Sequence, residues 1–278
     1  MGVAFFSKRS FNMNKVLLLI LFGLIGFIVL CIRYIETWGI FFPKKEIEVY
    51  PSAFNLPFED VYIKTGDGVR INGWFIPHSN ARYTLLFFHG NAGNIEHRLD
   101  KILMLRETGV NIFIIDYRGF GKSEGRLTEG GFYLDANAAY NYLVKIRRIG
   151  PEQIILYGQS LGTAVVIDLA SKVKVAAIIV EGAFSGGRDM AVKIYPFLPA
   201  FLFSNKFNSL KKIKKVGAPK LFIHSINDEI VPFALANKLY KAASGPKEFV
   251  ELIGSNNTAF FDSKEKYVSS IGLFIEKL

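Results

Sequence analysis

The apolar run Ile154 to Tyr157 stops on Gly158-Gln159-Ser160-Leu161-Gly162 and gives way to a helical run, Thr163 to Ser171. A strand that passes into a helix through one tight turn puts its middle residue on a strained backbone, and flanking glycines let the two segments approach. A G-x-S-x-G match alone often arises by chance, and a plain turn is its other reading. Between a strand and a helix it is a nucleophile elbow, which raises a serine hydroxyl above the end of a sheet. The feature therefore asks for a sheet with helices packed on it.

The remainder of the chain agrees. Its 278 residues are 50% hydrophobic and 21% charged, enough for one full-size core and too apolar for a disordered chain. Beyond Pro43 there is no long linker and no internal repeat. Glu59 to Lys64 and Val69 to Ile76 read as a hairpin around Gly66-Asp67-Gly68. TLLFFHG, NIFIIDYRG, QIILYGQS, AAIIVEGAF and KLFIHSIND follow as strands with polar or glycine ends. Helical spacing between them (Ile95, Leu99, Ile102 and Leu103 closed by Gly109; then Phe132, Ala136, Ala139, Tyr140 and Leu143 capped by Thr128) predicts a mostly parallel sheet covered on both faces. In such sheets the working residues gather at the carboxyl ends of the strands.

Two of those ends carry chemistry beside the elbow. His89-Gly90-Asn91-Ala92-Gly93-Asn94 is a glycine-rich turn whose backbone N–H groups can meet a developing oxyanion, and the Asn91 and Leu161 N–H groups are the expected donors. A flexible strand-to-helix turn is the alternative. Asp228, just past a strand end, is placed to orient an imidazole, with Glu229 as a solvated neighbour. Asp116 and Arg118 read as loop-fixing residues, and His89 and His224 as structural histidines near strand ends. Ser185 to Pro219, with its YPFLP and Phe201-Leu202-Phe203 stretches, reads as a cap insertion over the site or as core packing, and the five lysines from Lys206 to Lys215 as a solvated face, with a lipid-headgroup contact as the alternative. A single cysteine supplies neither an internal disulfide nor a thiolate metal cluster.

At the other end, Val16 to Ile32 is free of charged or strongly polar residues and lies between Lys15 and Arg33, just long enough to cross a bilayer. Cys31-Ile32-Arg33-Tyr34 lacks the small residues of a cleavage site, so residues 16–35 are expected to be an uncleaved signal anchor. Lys8, Arg9 and Lys15 precede it, while Arg33, Glu36 and Lys44 follow as a mixed group. Residues 1–15 are thus expected in the cytoplasm and the large domain, residues 45–278 with the cap at about 185–219, on the outer, periplasmic or lumenal side. The net charge of +10 is then read as suited to an anionic membrane surface, with no nucleic-acid partner.

The stretches FFHGNAGN, DYRGFGKSEG, LYGQSLGTA, YPFLP and LFIHSINDEIVP resemble the α/β hydrolases, specifically the membrane-anchored bud-emergence-like branch with a serine aminopeptidase-like domain. The resemblance runs from about residue 45 to the end. It implies Ser160 as nucleophile, Asp228 as triad acid and the Asn91 region as oxyanion hole, with hydrolysis of ester, thioester or amide bonds and no metal or organic cofactor. The apolar and aromatic character of the cap suits a small-molecule or lipid-like acyl substrate. The chain departs from that pattern at one place: where the family has a histidine, Gly254-Ser255-Asn256-Asn257-Thr258 carries Asn256, and all four histidines lie before Asp228. An amide cannot accept the serine proton. Loss of the base typically costs about 10⁶ in kcat, so a serine hydrolase and a pseudohydrolase that binds without turnover both stay open.

Overall fold

The computed structural model describes residues 13–278. Lys8 and Arg9, and most of the segment expected in the cytoplasm, lie outside the described residues. The central sheet is built from β1 (Glu59–Lys64), β2 (Arg70–Ile76), β3 (Thr84–Phe88), β4 (Asn111–Ile115), β5 (Ile154–Gln159), β6 (Ala177–Glu181), β7 (Lys220–Ser225) and β8 (Lys247–Leu252). Their spatial order is β1-β2-β4-β3-β5-β6-β7-β8. β2 is antiparallel to both β1 and β4, and the remaining pairings, from β4 to β8, are parallel.

Burial accounts for this order. β3 and β6 are buried at every position, as near-continuous apolar runs must be when both faces of a parallel sheet are covered. The edges β1 and β8 carry Glu59, Asp60, Glu248 and Glu251, charges that suit strands with one unpaired side. Successive side chains feed opposite layers. Leu86, Phe88 and Leu156 join one core with Phe132, Val165 and Val166, while Leu85, Phe87 and Tyr157 join the other with Ile102, Leu105 and Tyr267.

The helices are α1 (Met13–Trp38), α2 (Leu99–Arg106), α3 (Glu129–Asn141), α4 (Leu161–Ala170), α5 (Gly187–Ile194), α6 (Ser209–Lys212), α7 (Phe233–Ala242), α8 (Ala259–Asp262) and α9 (Lys264–Glu276). Thr128 caps α3 as expected, its side chain accepting from the Gly131 N–H at 3.0 Å. The helix before β4 differs in detail: it opens as a 3₁₀ turn, Ile95–Arg98, capped by Asn94, and it buries Met104 and Leu105 while Leu103 stays half-buried. Ile95, Leu99 and Ile102 are buried as the spacing predicts, and only Leu103, beside the buried Met104 and Leu105, sits at the rim of the buried face.

α1 has 26 residues, about 39 Å at 1.5 Å per residue. Met13–Glu36 contains an 18-residue stretch with a mean hydropathy of 2.9 and is long and apolar enough to cross a membrane by length and composition. Most of their large side chains are exposed, but Ile32 near the end is buried against the body. The following segment belongs to the globular part. Phe41 packs edge-on against Phe132 with ring centroids 5.3 Å apart, and Phe42–Pro43 pairs in parallel with Ala92–Gly93.

Candidate active site

Ser160 sits between β5 and α4 with φ 50° and ψ −116°, a conformation that costs a non-glycine residue energy and persists only when its surroundings enforce it. Its N–H donates to the Glu181 carbonyl at 2.8 Å, and its own carbonyl accepts from the Thr163 N–H at 2.9 Å and the Thr163 hydroxyl at 2.7 Å. The neighbouring glycines are steric requirements. A Cβ on Gly158 would lie 2.5 Å from the Gly162 carbonyl oxygen, and one on Gly162 would lie 1.9 Å from that of Phe88.

Asn91, Ser160 and Leu161 line one pocket of about 380 Å³. Among the described residues neither the Asn91 nor the Leu161 backbone N–H donates to a protein acceptor. The Asn91 loop is held from outside the sheet: its side chain donates to the Ile40 carbonyl at 2.6 Å, and its carbonyl accepts from the Phe42 N–H at 2.9 Å. The adjacent Gly90 approaches the serine so closely that a Cβ there would lie 3.6 Å from the Cβ of Ser160.

Asp228 lies just past β7. One carboxylate oxygen accepts from the N–H groups of Ile230 and Val231 at 2.9 and 2.7 Å, and the other from the Asn256 side-chain amide at 2.8 Å. Glu229 is exposed, yet it accepts from the Asn256 backbone N–H at 3.0 Å and so fixes the loop that presents the amide. Ser160, Asp228 and Asn256 share a second, small cavity of about 20 Å³ with Gln159, Glu181 and His224. That is room for about one water.

The two buried histidines are placed differently. His89 Nδ1 lies 2.7 Å from the Gly90 carbonyl, while its Nε2 stands 3.3 Å from Asp116 with no hydrogen-bond partner among the described residues; burial pushes the Asp116 carboxyl above the usual range. Arg118 ties Asp135 to Asp67 in the β1–β2 turn, which leaves it a loop-fixing residue. His224 Nε2 lies 2.9 Å from the Val231 carbonyl, which can only accept, so the proton is on Nε2. Nδ1 is then the lone-pair nitrogen; it is buried with no hydrogen-bond partner among the described residues, and burial lowers the pKa of the ring.

Sequence reading passed over the layer beneath the serine. Lys101 of α2 donates to Glu181 at the end of β6 at 2.5 and 2.7 Å, Tyr157 donates to the same carboxylate, and Tyr157 and Tyr267 hydroxyls are 2.7 Å apart. A polar strand end signals Glu181; nothing in the local pattern signals a lysine buried mid-helix. It also passed over Ile32, Ile35, Glu36 and Gly39 to Phe42 as part of the pocket lining. No group of three or more His, Cys, Asp or Glu among the described residues is arranged to hold a metal ion.

The profile of the alpha/beta hydrolase fold matches residues 83–202. The alpha/beta hydrolase domain-containing protein WAV2 of Arabidopsis thaliana is 35% identical over 84% of this chain and 83% of its own length. Protein bem46 of Schizosaccharomyces pombe is 36% identical over 66% of this chain and 64% of its own. Among solved structures, the esterase Pf2001 of Pyrococcus furiosus superposes with a TM-score of 0.70 at 22% identity, covering 86% of this chain and 98% of that one, a likeness of fold. With a central sheet in the order 1-2-4-3-5-6-7-8, a serine on the strained turn after its fifth strand, and relatives that include bem46 and WAV2, the chain belongs to the alpha/beta hydrolase family.

Proposed function

We propose that this protein is a membrane-anchored hydrolase of the serine class, acting on ester, thioester or peptide-like acyl bonds. Ser160 is the nucleophile, the Asn91 and Leu161 N–H groups receive the oxyanion, Asp228 is the triad acid, and Asn256 occupies the place of the base. The observation that carries the reading is the conjunction at one pocket of a strained serine with two unused backbone donors. α1 supports the anchor by its length and composition, with the N-terminus cytoplasmic and the domain from about residue 45 on the outer, periplasmic or lumenal side.

In this scheme the Ser160 hydroxyl adds to the acyl carbonyl, and the negative charge that forms on the carbonyl oxygen is met by the two N–H groups. The hydroxyl proton needs an acceptor, which an imidazole at position 256 would be, passing it next to the leaving group. Water then releases the acyl group by the reverse sequence. The Asn256 amide instead donates to Asp228, and this single contact favours a second reading, a pseudohydrolase that binds an acyl ligand without turnover.

The test is Ser160 labelling by a fluorophosphonate and hydrolysis of short p-nitrophenyl esters, in the native chain and in Asn256→His. We expect feeble turnover in the native chain and a gain of about 10³ or more in Asn256→His. No gain in a protein that still folds favours the binding role. Strong native activity that disappears in His224→Gln would identify a relocated base.

A further inference from the structure

We propose that the pocket beside Ser160 receives its acyl chain directly from the bilayer, along α1, so that the substrate is a long-chain ester of a membrane lipid and the membrane helix is one side of the binding site. The inference rests on reading Ser160 as the reacting group.

The lining of the pocket carries it. Ile32 and Ile35, which line the pocket, lie within the stretch long and apolar enough to cross a membrane, and Gly39 to Phe42 extend that side toward Asn91. The β6–β7 connection supplies Met190, Ala191, Ile194 and Phe203. A pocket of about 380 Å³ falls in the range of small-molecule sites, about 300–1,000 Å³. Its walls are largely apolar, and Ser160 and Asn91 place polar chemistry within it.

α1 is also fastened where a mere tether would be loose. The Ser204 N–H donates to the Glu36 carboxylate at 2.6 Å and Lys206 Nζ to the Glu36 carbonyl at 3.3 Å, which binds the helix end to the β6–β7 connection. Four residues on from Glu36, the Asn91 amide holds the Ile40 carbonyl, so the same short segment meets the oxyanion loop. With these bonds, the end of α1 fixes two sides of the pocket.

The surroundings are apolar on the outside as well. Phe42, Ile194 and Ile230, all pocket residues, are 61, 59 and 51% exposed, and Phe197 and Phe201 of the β6–β7 connection are 78 and 77% exposed. Large apolar side chains clustered in this way mark a surface that meets another apolar phase. Because α1 ends at the same pocket, the bilayer it crosses is that phase. A lipid chain sliding from membrane to pocket along α1 never exposes its methylenes to water.

The experiment uses the full chain in phosphatidylcholine vesicles that contain a phosphatidylcholine with a diazirine near the end of one acyl chain. After irradiation, adducts are mapped by mass spectrometry. Phe203 and Leu161 are 3 and 6% exposed, so a lipid chain reaches them through the pocket. We expect adducts on both, in addition to the outward residues of α1, and a fall of tenfold or more at both sites in Ala191→Trp. Phe22→Ala, on α1 away from the pocket, should leave them unchanged. Adducts confined to α1 and the exposed Phe197 and Phe201 would overturn the inference. A short-chain fluorophosphonate applied to the same vesicles, with Asn256→His in parallel, separates the two readings. Ser160 labelling without pocket adducts sinks the lipid route and keeps the hydrolase; pocket adducts with no Ser160 labelling in either chain do the opposite.

Discussion

The amide of Asn256 reaches Asp228 at 2.8 Å, the kind of nitrogen-to-carboxylate contact by which an imidazole is oriented in a catalytic triad, so under the proposed assignment position 256 keeps the support for a base and lacks the base. Asn256→His should therefore give kcat/KM a rising limb with a midpoint near the ordinary histidine value of about 6.5, absent in the native chain; a pH series on a short ester checks it. His224 supplies a separate pH effect. Burial holds its pKa below the ordinary value, with Asp228 3.7 Å away opposing, so between the folded and unfolded values the unfolded chain binds more protons and stability rises with pH. Conversely, stability should decline as pH falls below about 6.5, and His224→Gln should flatten that part of the curve in chemical denaturation. The serine itself carries strain. Ser160→Gly, which tolerates φ 50°, should stabilise the fold by about 1 kcal/mol while abolishing fluorophosphonate labelling; a loss of stability would mean that the elbow is not strained. At this scale the sequence was informative wherever a residue type is forced locally. Ser160 between glycines and Asp228 after a strand could be picked out because turn geometry selects them. Neither the lone Nδ1 of His224 nor the Glu229 bond to Asn256 could be, since each depends on where a distant segment comes to rest.

Strands and helices were legible where one interaction dominates them. β3 to β7 are apolar runs buried on both faces and broken by polar ends, and the cap of α3 is a local hydrogen bond, so periodicity and capping suffice. The contact of Lys101 with Glu181 belongs to another class, because it joins α2 to β6 and, through Tyr157 and Tyr267, to β5 and α9. Lys101 is 2% exposed, and its ammonium lies 3.9 Å from the Phe260 ring centroid. Burial lowers its pKa, opposed by the Glu181 carboxylate. Removing one partner of a buried pair leaves the other charge without compensation, which costs about 3–5 kcal/mol. Lys101→Met should therefore lower stability by that order in urea denaturation, and adding Glu181→Gln should recover part of the loss. Because the Glu181 carbonyl also accepts from the Ser160 N–H, the single variant should slow fluorophosphonate labelling as well. Unchanged stability in Lys101→Met would show that the pair is neutral to the fold.

At the scale of the whole molecule, α1 and the hydrolase body meet without slack, since the chain turns from the end of α1 at Trp38 to buried Phe41 and to strand pairing at Phe42–Pro43. A bilayer crossed by Met13–Glu36 would then lie against the body at its pocket side, and the question becomes which face of the membrane that is. The first 15 residues contain Lys8, Arg9 and Lys15 and no acidic residue. Past the span, Arg33 is paired with Glu36 at 2.6 Å, and Lys44 and Lys45 are followed by Glu46 and Glu48. Basic residues close to a span are retained on the cytoplasmic side, whereas large domains cross largely regardless of their charge, so if Met13–Glu36 spans a bilayer the leading segment is expected to set the orientation. With an epitope added before Met1, protease applied to the outer, periplasmic or lumenal face should degrade the domain and leave the epitope protected until the membrane is opened. Replacing Lys8, Arg9 and Lys15 together by Gln should yield a mixed population in which part of the domain becomes protected. A native domain accessible only from the cytoplasm would reverse the orientation, and the acyl pocket would then draw on the cytoplasmic leaflet.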